Sequence, residues 1–245
     1  MLSEQLPFTE VLNKALAGPV NSLLNAVGVH PADSHAPISN AFAMQLLVVL
    51  IMLALFVLVR TRLSVEKPGG LQHMFEGLHS FIDGQGKEII GHHHEPYTPF
   101  VVALFSFVLM ANLIGMVPGF ESPTAHPFVP LGLAICAFLY YNAKGIQKQG
   151  PIKYAAHFAG PMPALAPLMI PIEIVSHLAR VMSLTIRLFA NIFAGDMVTL
   201  VFFSLVPLGV PVIFLGLHIG VSFLQAYIFA LLTTVYLAGA VAEEH

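Results

Sequence analysis

The segment that decides the fold reads LTIRLFANIFAGD, residues 184–196, and it carries Arg187 inside a long run of apolar residues. A guanidinium keeps its proton in a protein, so Arg187 remains a cation wherever the chain places it. A cation at bilayer depth costs at least about 3 kcal/mol on the lenient insertion scales. We therefore expect a membrane helix that uses this charge.

The composition of the whole chain indicates an integral membrane protein. Of its 245 residues, 57% are hydrophobic and only 9% are charged, whereas soluble domains carry roughly 25% charged residues. The net charge of −3 is too small to suggest a nucleic-acid partner, and we expect none. A single cysteine, Cys136, excludes an intramolecular disulfide.

Five charge-poor stretches are each long enough to cross roughly 30 Å of hydrocarbon as a helix. They cover residues 39–60, 97–118, 128–147, 167–204 and 211–240. We therefore predict an all-α membrane protein with five transmembrane helices. The last two stretches are separated at Pro207, Gly209 and Pro211, because proline breaks the helical hydrogen-bond ladder. We expect these two spans to form a long, strongly tilted helical hairpin.

Two further segments are too polar to cross the membrane. Residues 71–91 have helical periodicity, which predicts an amphipathic helix on the cytoplasmic surface. Residues 1–38 have a similar but weaker pattern, and we expect them to form an extracytoplasmic N-terminal segment. Residues 39–245 would then form a single membrane domain.

The basic residues predict the orientation of the chain. Seven of the ten lie between spans one and two or between spans three and four: Arg60, Arg62, Lys67, Lys87, Lys144, Lys148 and Lys153. Cytoplasmic loops of membrane proteins carry such an excess of lysine and arginine. We therefore expect the N-terminus outside and the C-terminus in the cytoplasm, as an odd number of spans requires.

The fourth span carries a stripe of polar residues spaced three or four apart, a spacing that places them on one face of a helix. The members of the stripe are Glu173, Ser176, Arg180, Ser183, Arg187 and Asn191. On the fifth span, His218, Ser222 and Gln225 have the same spacing and can face this stripe if the two spans pair. Gly216 and Gly220 flank His218, and we expect them to let another helix approach closely.

Ionisable residues in membrane spans are rare and commonly mark ion paths. Functional roles are therefore predicted for Arg187, Glu173, Arg180, Asp196 and His218. Hydroxyl and amide side chains in spans often only join neighbouring helices. That alternative stays open for Ser176, Ser222, Asn191 and Gln225.

The run His92-His93-His94-Glu95 invites interpretation as a metal site. Consecutive residues of a helix point around its axis and do not converge on one ion. We therefore expect an interfacial, partly cationic cluster here, and no metal.

Three segments resemble motifs of one family, the a subunits of the F-type ATP synthase membrane sector. Residues 183–196 match the central arginine motif, and residues 224–237, LQAYIFALLTTVYL, look like the motif of the last helix. Residues 112–118, NLIGMVP, which include Asn112, resemble the motif that ends an earlier span. The resemblance covers about residues 40–245. Ala190 stands where glycine is common in the family, and Asp196 where glutamate is common.

The resemblance implies the stator of a rotary ion motor in a bacterial inner membrane. Two offset half-channels would pass protons to and from carboxylates on a rotating c-subunit ring. Arg187 would be the essential fixed charge that faces the ring. The residues lining the ion pathway would be Glu173, Ser176, Asn191, Asp196, His218, Ser222 and Gln225, with Arg180 and Asn112 as secondary positions.

The same resemblance implies a subunit that is not catalytic alone and needs no cofactor. Its partners would be the c ring, the peripheral-stalk b subunits, the remainder of the ATP synthase and the lipid bilayer. Histidine titrates near neutral pH, so His218 favours protons over sodium as the coupling ion.

Two other classes of protein remain open from the residues. A secondary transporter could use Arg187 to bind an anionic substrate, and it predicts substrate uptake by this chain alone. A structural scaffold predicts that neutralising Arg187 is harmless.

Overall fold

The computed structural model describes residues 6–26, 28, 36–64, 69–117, 119–151, 153–154, 166–205 and 210–242. Throughout these ranges the regular secondary structure is helical. The helices are α1 (Pro7–Ala26), α2 (Asn40–Thr61), α3 (Gly70–Ile89), α4 (Thr98–Ile114), α5 (Phe128–Gln149), α6 (Ala166–Leu205) and α7 (Val210–Val241), with a short 3₁₀ turn at Pro123–Ala125 between α4 and α5. The predicted all-α class is confirmed.

Four helices are long and apolar enough to cross a membrane, and α4 is a shorter apolar helix. The four are α2, α5, α6 and the segment Val212–Val241 of α7. Helix α4 has 17 residues, which correspond to about 26 Å at 1.5 Å per residue. By length and composition the described part of the chain thus contains four spans, and the fifth stays a prediction.

The helix boundaries agree closely with the predicted spans, except at the end of α4. Helices α2, α5, α6 and α7 begin and end within two residues of the predicted limits. Helix α4 ends at Ile114, before the predicted limit at residue 118. The chain then folds back, and Gly115 approaches Ser122 so closely that a Cβ atom at position 115 would lie 2.6 Å from the Ser122 backbone nitrogen. The predicted break at Pro207 and Gly209 lies outside the described residues.

The main core lies where α4, α5, α6 and α7 meet. Four alanines are almost completely buried there: Ala134, Ala137, Ala226 and Ala230. Small residues let membrane helices approach each other closely. Helix α6 contributes Leu184, Leu188 and Ile192 to this core, so one face of α6 is buried and the opposite face is left exposed.

Helix α3 packs on this core through its second half. Ile82 is buried against the core residues, and the ring of Phe81 lies 5.6 Å from the ring of Tyr227 on α7. Leu71 and Met74, near the start of α3, remain exposed. The predicted helix at 71–91 is confirmed, whereas its location on the cytoplasmic surface stays a prediction.

Helix α1 is held against the start of α2 by one buried asparagine. The Asn13 side chain donates from Nδ2 to the Ile38 carbonyl at 3.2 Å and accepts from the Ile38 backbone nitrogen at 3.0 Å. The Leu6 backbone nitrogen also donates to Asn40 Oδ1 at 3.3 Å. These bonds fix α1 to the membrane helices without an apolar core of its own.

Candidate functional site

Arg187 lies half exposed at the margin of the outward face of α6. Its Nη2 atom donates to Ser183 Oγ, one turn earlier, at 3.3 Å. In the described ranges its guanidinium has no carboxylate partner within 4.0 Å. The same outward side of α6 carries exposed apolar residues such as Ile186 and Phe193. The predicted cation is therefore present on an apolar surface of this chain, next to a hydroxyl.

A first polar cluster, the Glu173 cluster, joins the early part of α6 to the end of α5 and consists of Glu173, His177 and Tyr141. His177 Nε2 lies 3.5 Å from Glu173 Oε1, one turn earlier on α6. Its Nδ1 atom lies 2.8 Å from the Tyr141 hydroxyl, and the two rings stack with centroids 5.9 Å apart. Both ring nitrogens of this buried histidine thus contact a polar group.

Arg180 extends the Glu173 cluster toward α7. Its guanidinium carbon lies 5.2 Å from the centroid of the Tyr236 ring, within the range of a cation–π contact. Tyr236 in turn packs beside Tyr141, with ring centroids 6.1 Å apart. Ser176 is half buried on the same helix. The early part of α6 is therefore surrounded by aromatic and titratable side chains.

A second polar cluster, the Asp196 cluster, joins the later part of α6 to the first part of α7 and consists of Asp196, His218 and Ser222. His218 Nε2 lies 3.7 Å from Asp196 Oδ1, and the His218 side chain is only 5% exposed. Gly195 makes room for the imidazole, since a Cβ there would lie 3.1 Å from His218 Nδ1. The two helices bring the predicted acid and base together.

Two buried polar atoms of the Asp196 cluster have no hydrogen-bond partner within the described ranges. They are Nε2 of His218, which is beyond hydrogen-bond distance from Asp196, and Oγ of Ser222. Buried polar groups in proteins are normally satisfied, by water where no side chain reaches them. These atoms therefore mark a place suited to water.

Asn112 connects this cluster to the loop before α5. Its Nδ2 atom donates to the backbone carbonyl of Ser222 at 3.2 Å, and its Oδ1 atom accepts from Thr124 Oγ1 at 2.7 Å. Gln225 is buried one turn beyond Ser222 on α7. Asn191, by contrast, is exposed on α6, on the outward side with Ser183.

Sequence reasoning missed several residues of these clusters. His177 lies four residues after Glu173, so its titratable ring could have been included in the polar stripe. Tyr141 and Thr124 reach their partners from other helices or loops, so no spacing along the chain identifies them. The close approach expected at Gly216 and Gly220 is wrong for the described residues, none of which lies within 4 Å of a Cβ built there. Gly195 is the glycine that accommodates His218.

The histidine run at 92–94 is divided between buried and exposed positions. His94 is buried, with Nε2 at 3.1 Å from Asp83 Oδ1 and Nδ1 at 2.9 Å from the Gly91 carbonyl. Thr98 Oγ1 also donates to Asp83 Oδ1, at 2.9 Å. His92 and His93 are exposed, so the three imidazoles do not converge.

Comparison with known proteins identifies the family. Residues 42–238 match the model of the ATP synthase A chain family. The chain belongs to this family. Among similar curated proteins, the ATP synthase subunit a of Koribacter versatilis is 53% identical over 244 residues and covers both chains completely.

Two further relatives support the assignment. The ATP synthase subunit a of Solibacter usitatus is 57% identical over 235 residues, which is 96% of this chain and all of the relative. That of Campylobacter fetus subsp. fetus is 44% identical over 204 residues, 80% of this chain and 90% of the relative. The family resemblance inferred from residues 112–118, 183–196 and 224–237 is confirmed, and with it a non-catalytic role in the proton-translocating membrane sector.

Proposed function

We propose that this chain is the stator that passes protons to and from the carboxylates of a rotating c-subunit ring, with Arg187 facing the ring. The observation that carries this proposal is a permanent cation, half exposed, beside the exposed apolar Ile186. A guanidinium directed at lipid alone is costly. A carboxylate on an adjacent subunit would pair with it in a charge-assisted contact, so an acidic ring is the partner that this surface fits.

The two polar clusters would supply the two access paths to the ring. His177 precedes Arg187 by ten residues and Asp196 follows it by nine, which correspond to about 15 Å and about 14 Å along the helix. The clusters thus lie on opposite sides of Arg187 along α6, and each would open to a different side of the membrane. Because Arg187 cannot release its proton, it would keep a proton from passing between the paths without the ring.

The chemistry of the Asp196 cluster favours protons as the coupling ion. A carboxylate and an imidazole lie 3.7 Å apart, and both kinds of group exchange protons readily. The unpartnered atoms of His218 and Ser222 favour water beside them, which would carry protons to and from the carboxylate. Ser176, Asn191 and Gln225 would line the paths as polar positions that orient water.

We infer a five-span topology, with α4 as the second span, the N-terminus outside and the C-terminus in the cytoplasm. The basic residues support this orientation, and α4 is apolar and packed between α2 and α7. Helix α6 has 40 residues, about 60 Å, so it would tilt strongly to stay within the bilayer and pair with α7 as a hairpin.

The remaining parts of the chain would complete the stator in a bacterial inner membrane. Residues 1–38 would lie outside, residues 39–245 would form one membrane domain, and α3 would lie on the cytoplasmic surface. The peripheral-stalk b subunits and the rest of the ATP synthase would be partners beside the ring.

Substitution of Arg187 in the complete ATP synthase tests the proposal. In sealed vesicles, Arg187→Ala is expected to abolish ATP synthesis and ATP-driven proton pumping while the subunit remains inserted. Arg187→Lys is expected to fail as well, because a lysine amine is compact, flexible and able to lose its proton when desolvated.

A matched control is Arg62→Ala, which removes an exposed arginine just after α2 and is expected to leave both activities intact. Full ATP-driven pumping by the Arg187→Ala complex would refute the assigned role.

A further inference from the structure

The loop between α4 and α5 lies against the same region as the Asp196 cluster. Its 3₁₀ turn, Pro123–Ala125, packs on α6 and also contacts α2 and α4. Ser122 and Thr124 of this loop are fully or almost fully buried. A loop that carries buried hydroxyls this deep is part of the polar interior, and its exposed neighbours connect that interior to the surface.

Hydrogen bonds hold the loop on α4, and Asn112 of α4 links it to α7. Ser122 Oγ donates to the Ala111 carbonyl at 3.0 Å and lies 2.8 Å from Thr124 Oγ1. Thr124 Oγ1 donates to Asn112 Oδ1, and Asn112 Nδ2 donates to the Ser222 carbonyl on α7. Because Ser222 lies one turn after His218, this network fixes the loop beside the Asp196 cluster.

Two titratable side chains of the same loop face the surface. His126 Nε2 lies 3.7 Å from Glu121 Oε2, and the two side chains are 47% and 46% exposed. The charge of Glu121 also acts on the Asp196 carboxyl. An acid–base pair that reaches the medium therefore lies within electrostatic range of the partly buried Asp196 carboxyl, which lies 3.7 Å from the buried His218.

We propose that Glu121 and His126 form a proton-collecting site at the mouth of the path that leads to Asp196. The site takes up hydrated protons from the medium and supplies them to the pair formed by Asp196 and His218, with Ser122, Thr124 and Asn112 as positioning residues. This inference rests on the proposed function, since it assigns the outer end of one of the two access paths.

The transfer conserves atoms and charge at each step. A hydronium ion gives its proton to a Glu121 carboxylate oxygen or to His126 Nε2 and leaves as water. The same proton then passes through intervening water to the Asp196 carboxylate, and the surface pair regains its starting charge. Negative charge raises the local concentration of cations, so the Glu121 carboxylate, with His126 as a second proton acceptor beside it, speeds proton arrival when free protons are scarce.

Several neighbouring titratable groups affect how proton collection by Glu121 and His126 depends on pH. Glu121 and His126 face each other in the loop, the charge of Glu121 acts on Asp196 of α6, and His218 of α7 lies 3.7 Å from Asp196. Asp196 and His218 belong to the path itself, so substitutions aimed at collection alone are made at Glu121 and His126.

The experiment measures ATP synthesis by the complete ATP synthase in sealed vesicles. The pH of the outer medium, which here means the solution on the extracytoplasmic side of the membrane that the loop between α4 and α5 would face, is varied at a constant total driving force. The variants are Glu121→Gln, His126→Gln and the double variant. With an alkaline outer medium, the double variant is expected to lose at least about tenfold in rate, the lower end of what charge focusing adds to an arrival rate. With an acidic outer medium or a concentrated membrane-impermeant buffer outside, the rate is expected to return to within about twofold of the unaltered complex.

The matched controls are His93→Gln and Glu95→Gln, which neutralise the same residue types in the exposed loop before α4, at the other end of that helix. They are expected to leave the pH profile unchanged, and Glu121→Asp is expected to retain it.

A loss that is equal at every pH and insensitive to buffer would show a purely structural role for the pair, and an unchanged profile in the double variant would exclude it from the path. Either result overturns this proposal while leaving the Arg187 test untouched, so the two failures are distinguishable.

Discussion

The Glu173 cluster and the Asp196 cluster each contain a carboxyl group and an imidazole, but they differ in the contacts that the histidine makes. In the first, His177 contacts the Tyr141 hydroxyl at 2.8 Å and Glu173 at 3.5 Å. In the second, His218 Nε2 lies 3.7 Å from Asp196 and has no hydrogen-bond partner in the described ranges. His177 is therefore positioned by side chains on both ring nitrogens, whereas His218 has a buried ring nitrogen without a hydrogen-bond partner in the described ranges.

This difference indicates that the Glu173 cluster is satisfied by protein side chains, whereas the Asp196 cluster needs water. A polar network whose members are satisfied rigidifies the structure around it, and Tyr236 packs beside Tyr141 of the Glu173 cluster. An unsatisfied buried atom destabilises the fold unless water reaches it. The Glu173 cluster is therefore expected to contribute to stability, and the Asp196 cluster to contribute mainly to proton movement.

The largest effect is expected from Asp196→Asn, which keeps the size of the side chain but removes its ability to carry a proton. ATP synthesis by the complete complex is expected to fall about 100-fold, the lower end of what a positioned acid–base group contributes. Thermal stability should change little. Asp196→Glu serves as the control, since it retains the carboxyl group. Near-normal synthesis by Asp196→Asn would show that proton movement does not depend on the Asp196 carboxyl.

A smaller effect, on stability, is expected from His177→Phe. The substitution keeps an aromatic ring but removes the partner of the Tyr141 hydroxyl and of Glu173, which costs about 1–3 kcal/mol. The measurement is the midpoint of denaturant-induced unfolding of the purified chain in detergent. The control is His79→Phe at an exposed position of α3. An unaltered midpoint for His177→Phe would mean that the Glu173 cluster does not stabilise the fold.

Removing one hydroxyl group with a hydrogen-bond partner and one without compares their contributions to stability. Ser222→Ala removes an atom without a partner in the described part of the chain, so stability is expected to change by less than about 1 kcal/mol. Thr124→Val is expected to cost about 1–3 kcal/mol, because it removes the donor to Asn112 while keeping the shape of the side chain. The same unfolding measurement compares the two variants. A greater loss of stability for Ser222→Ala than for Thr124→Val would show that the Ser222 hydroxyl, and not the Thr124 hydroxyl, stabilises the fold.

The smallest effect is expected outside both clusters, at Asp83 on α3. The Thr98 hydroxyl and then the His94 imidazole hold the pKa of this carboxyl below its usual value, and His79 adds a weaker attraction. A carboxyl with a lowered folded-state pKa stabilises the fold above its unfolded-state pKa, and this contribution is lost as the pH falls through the folded-state value. Protection of α3 amides from hydrogen exchange, corrected for intrinsic rates, should therefore decrease in acid.

Asp83→Asn is the control for this effect and should remove its pH dependence. Proton transport at neutral pH is expected to be unchanged in that variant, because Asp83 lies in neither cluster. A large loss of transport would extend the site to α3.

The sequence was sufficient for the parts of the site that depend on one helix at a time. Arg187, Glu173 and Asp196 are ionisable residues in an apolar run, and the period of 3.6 residues relates Glu173 to Arg187 without any tertiary information. The limits of α2, α5, α6 and α7 follow from the loss of apolar character at their ends.

The parts that depend on contacts between elements could not be predicted in this way. The pairing of Tyr141 with His177 joins residues that are 36 positions apart on different helices, and no periodicity relates them. Immediately after α4, Gly115 lies against Ser122 of the following loop, a contact that depends on how that loop folds back. The role of Gly195 depends likewise on the position of His218 across the helix pair.

The half-exposed guanidinium on the apolar side of α6 also has a consequence for biogenesis. A newly inserted copy without the acidic partner proposed for Arg187 must either hold this charge against lipid or let α6 shift toward the interface. We expect such a copy to differ physically from an assembled one, so that membrane proteases that recognise loosened helices would distinguish the two. The charge that is proposed to serve the finished motor would thereby also limit how long an unassembled subunit persists.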